Sequence, residues 1–564
     1  MKEQLEQKVA QAVKDVLDID VEIELTRPEE KFGDYATNVA LQVAKQAGRP
    51  PREVAEELAA RLRDVLQGQV SEVGIAGPGF INLRLSDAAL QAEVNQMLDA
   101  EILYGQSDRY KGQTIVAEYS DPNPFKVLHA GHLYTSIMGD AIANLFQAAG
   151  GEVHRVNFGG DVGMHVGKTL WAILAWLGSA NPAGLEAINP EGRAEFLSKC
   201  YVEGNNKYED DAGAKAEMVE LNKQVYLFHA NNDHESPVAQ IYWTCRRWSY
   251  EYFDKFYARI GTKFEKYYPE SETAGLGLDT VRAHTPEVFQ ESDGAIVFKG
   301  EDYGLHTRVF INSQGIPTYE AKDVGLIMKK WHDYNFDRSI VITGNEQQQY
   351  MAVVLKAIEQ FAPELAQKST HLTHGIVKLA GGVKMSSRKG NILRAVDVLD
   401  VAAEANKAAT GKEDDRVVLG AVKYAFLKQR MGGDIIYDPE ESVSLQGNSG
   451  PYLQYAHARA CSILKKASKE VGPLSDTALN AGERTLARKL SEYPEVVATA
   501  VEEMMPHHVC TYLYELAQTF NRFYENNRVI GDDREADRLA LVSAYRTVLA
   551  NGLDLLGVTA PETM

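Results

Sequence analysis

Leu5, Val9, Val13 and Leu17 recur every fourth position among Lys, Glu and Gln, which predicts an amphipathic helix from Met1 to about Leu17. The rhythm then changes, because Val21, Ile23 and Leu25 alternate with charged residues in the period of a half-buried strand. Helical spacing returns from Tyr35 through Ala47 and from Pro51 to Leu66. Phe80 to Leu85 reads as a strand behind Gly77-Pro78-Gly79. Together these elements predict a small α+β domain over residues 1–108.

Further on, Thr114, Ile115, Val116 and Ala117 form a short continuous run of the kind a strand buried on both faces shows. Leu133, Ile137, Ala141 and Leu145 then recur every four residues until Gly150-Gly151, one stripe along a helix of about five turns. Val153 to Phe158 gives the next strand, followed by Gly159-Gly160-Asp161-Val162-Gly163. A strand, a helix and a second strand in this order predict a doubly wound, Rossmann-like parallel sheet, whose ligands bind beyond the carboxyl ends of its strands. From Thr169 to about Asp293 the pattern is largely helical, with Trp171, Trp176, Trp243 and Trp248 available for packing, and reads as an insertion between two halves of that fold. Gly294 to Phe298, His306 to Ile311 and Ser339 to Thr343 read as strands, and the turn Asn312-Ser313-Gln314-Gly315 follows the second of them. After about Val396 the chain is almost wholly helical, broken by Gly447-Asn448-Ser449-Gly450-Pro451. The expected organisation is a multidomain α/β protein: residues 1–108, a catalytic domain over 109–395 with its insertion near 169–293, and an all-α bundle over 396–564.

Chemistry concentrates where the first sheet strand meets its helix. The run Glu118-Tyr119-Ser120-Asp121-Pro122-Asn123-Pro124 leads to His129-Ala130-Gly131-His132. Pro122 and Pro124 deny this loop a regular ladder. His129 and His132, three apart at the helix start, share a face. A helix amino terminus has unpaired N–H groups and a partial positive charge, so two imidazoles beside it suit a phosphate, and Gly131 allows a flat base close to the backbone. Read alone, the two histidines equally fit a surface pair capping a helix. His165, by the second strand, is placed near the same pocket as a wall residue. A second stretch, Val383-Lys384-Met385-Ser386-Ser387-Arg388-Lys389, is a small-residue loop between glycines whose cations suit a triphosphate. Tyr319 and Asp323, four apart, project from one helical face, as a surface pair would.

The two loops resemble the His-Ile-Gly-His and Lys-Met-Ser-Lys-Ser signatures of class I aminoacyl-tRNA synthetases. Glu118-x-Ser120-x-Pro122-Asn123-Pro124 is similar to the corresponding run of the arginyl-tRNA synthetase family, and the likeness extends over essentially the full length. It implies ATP-dependent activation of L-arginine and its transfer to tRNA(Arg). His129, His132 and Lys384 would be catalytic, and ATP would lie on His129, Gly131, His132, Lys384, Met385, Ser386, Ser387 and Arg388. Arginine would be held by Glu118, Asn123, His132, Tyr319, Asp323 and Gln347: Asp323 with Glu118 on the guanidinium, Asn123 and Gln347 on the backbone end. The resemblance also implies that activation waits for bound tRNA. Magnesium would accompany ATP. Phe32, Tyr35 and Asn38 in the amino-terminal domain would touch the D-loop corner of the tRNA, although Phe32-Gly33-Asp34-Tyr35-Ala36-Thr37-Asn38 alone reads as a helix start capped by Asp. Tyr452, Tyr455 and His457 are candidates for contacts with anticodon-loop bases. Two positions depart from the pattern. Tyr350 stands where His is common, and Ser387 where Lys is typical, which leaves open the roles of Arg388 and Lys389. A different class I nucleotidyl transferase would share the histidines without needing Tyr319 and Asp323, and a non-catalytic tRNA-binding relative would have no use for His129, His132 and Lys384.

Composition changes this picture in three ways. A chain of 564 residues is too long for one core, consistent with several domains. A net charge of -20 requires any tRNA contact to run along local basic strips on an acidic body, with strong salt dependence. Cys200, Cys245, Cys461 and Cys510 are widely spaced, which argues against a disulfide frame and a structural zinc. No stretch has the length of a membrane span or a signal-peptide core, so a cytoplasmic, monomeric protein is expected, with no metal site of its own.

Overall fold

The computed structural model describes residues 1–380 and 393–564. At the amino terminus, α1 (Lys2–Leu17) buries Leu5, Val9 and Val13 against α3 (Pro51–Val65), and α2 (Val39–Ala47) completes the helical layer. Strands β1 (Tyr35–Thr37), β2 (Val70–Ala76) and β3 (Phe80–Leu85) form an antiparallel sheet in the order β1-β3-β2, and α4 (Asp87–Ala100) leads out of the domain. Two sequence expectations change here. Ile23 and Leu25 do point inward, yet residues 21–25 enter no named strand. The Leu25 N–H is instead taken by the Glu6 carboxylate at 2.9 Å. Tyr35 does not open a helix, because Tyr35–Thr37 pairs with β3 and the helix begins at Val39.

The central part of the chain alternates strand and helix: β4 (Thr114–Glu118), α5 (Ala130–Ala148), β5 (Glu152–Gly159), α6 (Met164–Leu177), α7 (Arg193–Asp210), α8 (Ala212–Ala230), α9 (Pro237–Ile260), β6 (Lys266–Pro269) and α10 (Glu270–Ala283). It continues through a small antiparallel sheet of β7 (Gln290–Ser292), β8 (Ala295–Phe298) and β9 (Arg308–Ile311). Then come α11 (Tyr319–Tyr334), β10 (Arg338–Gly344), α12 (Gln348–Phe361), α13 (Pro363–Lys368), β11 (Ser369–His374) and β12 (Val377–Leu379). Among the described residues the central sheet has the order β11-β10-β4-β5-β6, every neighbouring pair parallel. The region near 169–293, expected as a largely helical insertion, therefore also supplies the edge strand β6. The residues Lys266-Tyr267-Tyr268-Pro269 are too few and too polar to announce themselves between long helices. Strand order reverses between β4 and β10, the place where doubly wound sheets open a crevice at their carboxyl ends.

The last domain packs α14 (Ala395–Thr410), α15 (Asp415–Leu427), the short β13 (Ile435–Tyr437), α16 (Pro439–Ser442), α17 (Gly450–Lys466), α18 (Ala481–Ser491), α19 (Tyr493–Glu503), α20 (His507–Asn526) and α21 (Glu535–Leu555). It clasps the amino-terminal domain through buried charges. The Asp34 carboxylate, fully buried, accepts from Arg484 at 2.7 Å and Arg488 at 3.0 Å on α18. Asp34 is thus an interdomain anchor and not the cap of α2. Arg27 and the Tyr35 hydroxyl both reach Glu495 on α19, at 2.7 and 2.6 Å. Among the described residues no helix is long and apolar enough to cross a membrane.

Candidate active site

A cleft of about 1010 Å³ lies at the carboxyl ends of β4 and β10, lined by Glu118, Asn123, His129, Gly131, His132, Tyr319, Asp323 and Gln347 among others. Every arginine-site residue expected from the sequence therefore reaches one cavity. Lys384, Met385, Ser386, Ser387 and Arg388 lie outside the described residues.

The loop that brings β4 to α5 is strained. Ser120, Asp121 and Phe125 adopt φ of 75°, 49° and 70°, the left-handed region that non-glycine residues enter at a cost of about 1–3 kcal/mol each. Neighbouring groups hold it there. The Ser120 and Tyr257 hydroxyls share a hydrogen bond at 2.7 Å, Asp121 accepts the Phe158 N–H at 2.8 Å, and the Phe125 N–H donates to Ser249 at 2.9 Å. This fixed loop sets the amino terminus of α5 against the cleft. There the rings of His129 and His132 stack, with centroids 3.7 Å apart. His132 Nδ1 accepts the His129 N–H at 3.1 Å, and His129 Nδ1 accepts the Gly131 N–H at 3.1 Å. With both Nδ1 atoms accepting, each neutral ring carries its proton on Nε2 as a donor. Burial, reinforced by the charge of Lys126, lowers the His129 pKa to about 4 and takes His132 well below the ordinary imidazole value. Near neutral pH both rings are uncharged donors. Gly131 has a local role that differs from the one expected: a Cβ there would lie 2.9 Å from the His129 ring, so the missing side chain makes room for the imidazole.

The acidic side of the cleft departs from expectation at Glu118. Its carboxylate, 2% exposed, is hydrogen-bonded to the buried ammonium of Lys330, which also donates to Ser339 at 3.0 Å. Glu118 is thereby neutralised as a partner for an incoming cation. Away from the exposed rim, two carboxyls of the cleft lack an ion pair among the described residues: Asp121, its pKa raised by burial and by Glu118 and its carboxylate already accepting the Phe158 N–H, and Asp323. Burial drives the Asp323 pKa up; the Tyr350 hydroxyl bonded to it works the other way, and the nearby charge of Glu118 adds to the rise, leaving it at about 8. Glu270 is paired with Lys322 at 2.5 Å, both almost fully buried, so it too is internally balanced. Tyr319, half exposed, and Gln347, exposed, stand at the rim, and Asn123 Oδ1 accepts the Gly160 N–H at 2.8 Å. His165, expected near the pocket as a hydrogen-bonded wall residue, does not itself line the cleft but sits one bond behind it, bonded to the carbonyl of the lining Gly160 at 2.7 Å.

Sequence reasoning passed over two cations in this cleft. Lys126 was in plain view inside the motif, and burial lowers its pKa. Arg308, from β9, bonds Glu320 at 3.1 Å and has a buried Nε with no partner among the described residues. Only the return of the small sheet onto α11 brings it to the site. Of the tRNA candidates, Phe32, Asn38 and Tyr455 are exposed. Tyr35 and His457 are not available: Tyr35 is fully buried against Glu495, and His457 donates from Nδ1 to the Pro561 carbonyl at 2.9 Å. Tyr452 is partly buried and accepts a hydrogen bond from Asn521 at 2.8 Å.

A five-stranded parallel sheet that presents a His-x-Gly-His helix start at its point of reversal, followed by a helical carboxy-terminal domain, is the architecture of a class I aminoacyl-tRNA synthetase. Comparison with known proteins narrows the class. Residues 1–85 match the family described as arginyl tRNA synthetase N terminal domain, 93–438 that of tRNA synthetases class I (R), catalytic domain, and 453–564 the DALR anticodon binding domain. An arginine–tRNA ligase of Porphyromonas gingivalis is 29% identical, with 100% of this chain and 99% of that protein covered. An arginine–tRNA ligase 1 of Bacillus cereus is 30% identical over 96% of this chain and 95% of its own length. The solved arginyl-tRNA synthetase of Thermus thermophilus superposes with a TM-score of 0.80 at 27% identity, each chain covered in full. The chain belongs to the class I arginyl-tRNA synthetase family.

Proposed function

We propose that this chain is an arginine–tRNA ligase that activates L-arginine with ATP and transfers it to the 3′ end of tRNA(Arg). The arginine carboxylate attacks the α-phosphorus of ATP and pyrophosphate leaves, giving arginyl-adenylate. A terminal ribose hydroxyl of the tRNA then attacks the arginyl carbonyl and AMP leaves. No protein nucleophile is needed, so the work is positioning and stabilisation of charge.

The observation that carries this reading is the placement of a buried carboxyl without an ion pair, Asp323, held by the Tyr350 hydroxyl, in the same cleft as two neutral imidazole donors. The carboxyl suits a guanidinium, whose planar donors call for an anionic acceptor. Nε2–H of His129 and His132 suits the charge that develops on the α-phosphate, with Lys126 as an added cation on the same loop. Tyr319 packs at the rim over the aliphatic part of the substrate, and Asn123 and Gln347 serve its backbone end. The role of Lys384 on the leaving pyrophosphate, and of Met385, Ser386, Ser387 and Arg388 around it, rests on their sequence motif. Among the described residues no group of His, Cys, Asp or Glu is arranged to hold a metal ion. Magnesium would come with ATP as part of the substrate, its charge set against the phosphate oxygens. We further assign tRNA contact to Phe32 and Asn38 in the amino-terminal domain and to Tyr455 on α17. We retain residues 1–108, 109–395 and 396–564 as the functional division, in a cytoplasmic monomer.

ATP–pyrophosphate exchange with each amino acid in turn, with and without tRNA(Arg), tests the reading. Exchange that depends on arginine, and on the presence of tRNA, is expected. Exchange driven by lysine or glutamate, or by no amino acid, overturns it in favour of another class I nucleotidyl transferase or a non-catalytic relative.

A further inference from the structure

A second cavity, of about 620 Å³, lies away from the catalytic cleft, where the catalytic sheet meets the carboxy-terminal domain. Its walls come from the second half of α5, the amino-terminal end of β5, the turn after α9, the outer face of α15 and the tail after α21. Arg155 and Val153 lie at the start of β5, whereas the catalytic cleft lies beyond its end, so the two cavities open on opposite edges of one sheet.

The cavity gathers cations on a chain whose net charge is -20. Two of them, Arg259 and Arg416, are answered by Asp415 at 3.0 Å and Asp414 at 2.7 Å. Three make no such pair among the described residues. The Arg155 guanidinium donates to two neutral amide oxygens, Asn144 Oδ1 at 2.7 Å and Gln147 Oε1 at 2.9 Å. Lys263 is exposed on the turn after α9 and makes no ion pair within 4.0 Å among the described residues. The Lys423 ammonium, 7% exposed, donates to the Gly557 carbonyl at 2.8 Å and sits between two turns: a Cβ on Gly557 would lie 3.2 Å from it and one on Gly261 3.8 Å. Burial pulls its pKa below the ordinary ammonium value, while Asp140 opposes that. Two carboxylates also face the space. Asp140 is engaged by the hydroxyls of Tyr119 and Thr262, and Glu265 by His154 at 3.0 Å.

The buried ammonium of Lys423 and the guanidinium of Arg155 share the one carboxylate of Asp140, and Lys263 adds a third cation, so positive charge is in excess in a space large enough for a small molecule. Ile260, Phe264 and Leu419 add an apolar wall. We infer that this cavity binds a small phosphorylated anion, held by Arg155, Lys263 and Lys423, and that the ligand ties the catalytic sheet to the carboxy-terminal domain. The size of the cavity and the burial of Lys423 favour a compact ligand over a tRNA strand, which would lie along open surface.

The test is a calorimetric titration of pyrophosphate into the full chain, its catalytic cleft filled beforehand with a single equivalent of a non-hydrolysable ATP analogue so that the second cavity stays free. One saturable, salt-sensitive site is expected. Affinity should fall about tenfold in Lys263→Ala and further in Arg155→Gln/Lys263→Ala, the scale of one charge-assisted hydrogen bond per cation. Lys45→Ala on the exposed face of α2 should leave it unchanged. Thermal melts of each variant, unaltered without ligand, show that the fold is kept. If the fold is lost with Arg155→Gln, the variant at Lys263, which is exposed and makes no ion pair among the described residues, decides alone. Absence of a saturable site, or a site indifferent to these substitutions, overturns the inference. So does a loss of tRNA affinity in the variants without any pyrophosphate binding, which would assign the surface to the tRNA backbone.

Discussion

The backbone N–H of His129 donates to the side chain of His132 at 3.1 Å, so the second imidazole of the motif fastens the peptide that carries the first. The two rings are consequently one unit, stacked and fixed in tautomer, with both Nδ1 atoms engaged by the backbone and both residues lining the cleft. This is a reason why the spacing is three. One helical turn later the side chain returns over the N–H groups left unpaired at the helix start.

Replacement of His132 by Ala should lower the rate of arginine activation by roughly 10²- to 10³-fold, the usual loss for one such donor. It should also cost stability on the order of 1 kcal/mol, the scale of a lost helix cap. Single-turnover adenylate formation separates the two effects, because the cap loss appears in the melting temperature and the donor loss in the rate. An unchanged rate would remove His132 from the chemistry.

Arginine affinity should depend on pH through Asp323. With the carboxyl pushed up to about 8, the empty site is largely protonated at pH 6, whereas the guanidinium complex requires the carboxylate. Binding therefore expels a proton, and affinity should rise about tenfold per pH unit up to about 8 and then level off. At saturating arginine the activation rate should stay flat over the same range, because His129 titrates only near 4. Asp323→Asn should flatten the affinity profile and raise KM about 10²-fold or more, as expected when one partner of a buried charged pair is removed. A profile unchanged in that variant would contradict the assignment.

How much of this was legible beforehand follows from where the information sits. His129, His132, Tyr319 and Asp323 are local patterns, set by a helix start and by a four-residue spacing, and the sequence displays both. The neutralisation of Glu118 depends on Lys330, 212 positions away, and no spacing rule reaches that far. The same holds for Arg308, delivered by a strand of a different sheet. Among elements, buried strands such as β4 announce themselves by continuous apolar residues. The edge strand β11 reads Ser-Thr-His-Leu-Thr-His and stayed hidden, since an edge position asks for little apolar surface. β2 was missed because its burial does not alternate and its pairing shifts between Val70 and Glu72. Tyr35 reads as a tRNA contact in sequence because an exposed aromatic and an interdomain aromatic look alike there, whereas the fold buries it against Glu495.

Asp34 should prove essential to the clasp between the terminal domains. Burial opposes its ionisation, but Arg484, the Leu85 N–H and Arg488 outweigh that and hold its pKa below the ordinary carboxylate value. A lowered folded pKa means stability present above the unfolded value and lost as pH falls toward the folded one. Asp34→Ala should destabilise the docked state by about 3 kcal/mol, since it removes the buried carboxylate shared by two guanidinium groups and leaves Arg488 to Glu492 and Arg484 to Asp87 and the Leu85 carbonyl. Chemical denaturation should then show the amino-terminal domain separating first, and charging of tRNA should suffer more than adenylate formation. A single unaltered transition would refute the anchor.

Charging of a tRNA(Arg) transcript with labelled arginine addresses the central claim most directly, measured for the native chain beside Asp323→Asn and a His129→Ala/His132→Ala double variant. The native chain should form arginyl-tRNA and no other aminoacyl-tRNA, the first variant should do so only at greatly raised arginine, and the second at a rate lowered at any arginine concentration. Charging with a different amino acid, or charging by the native chain that neither variant impairs, would contradict the account.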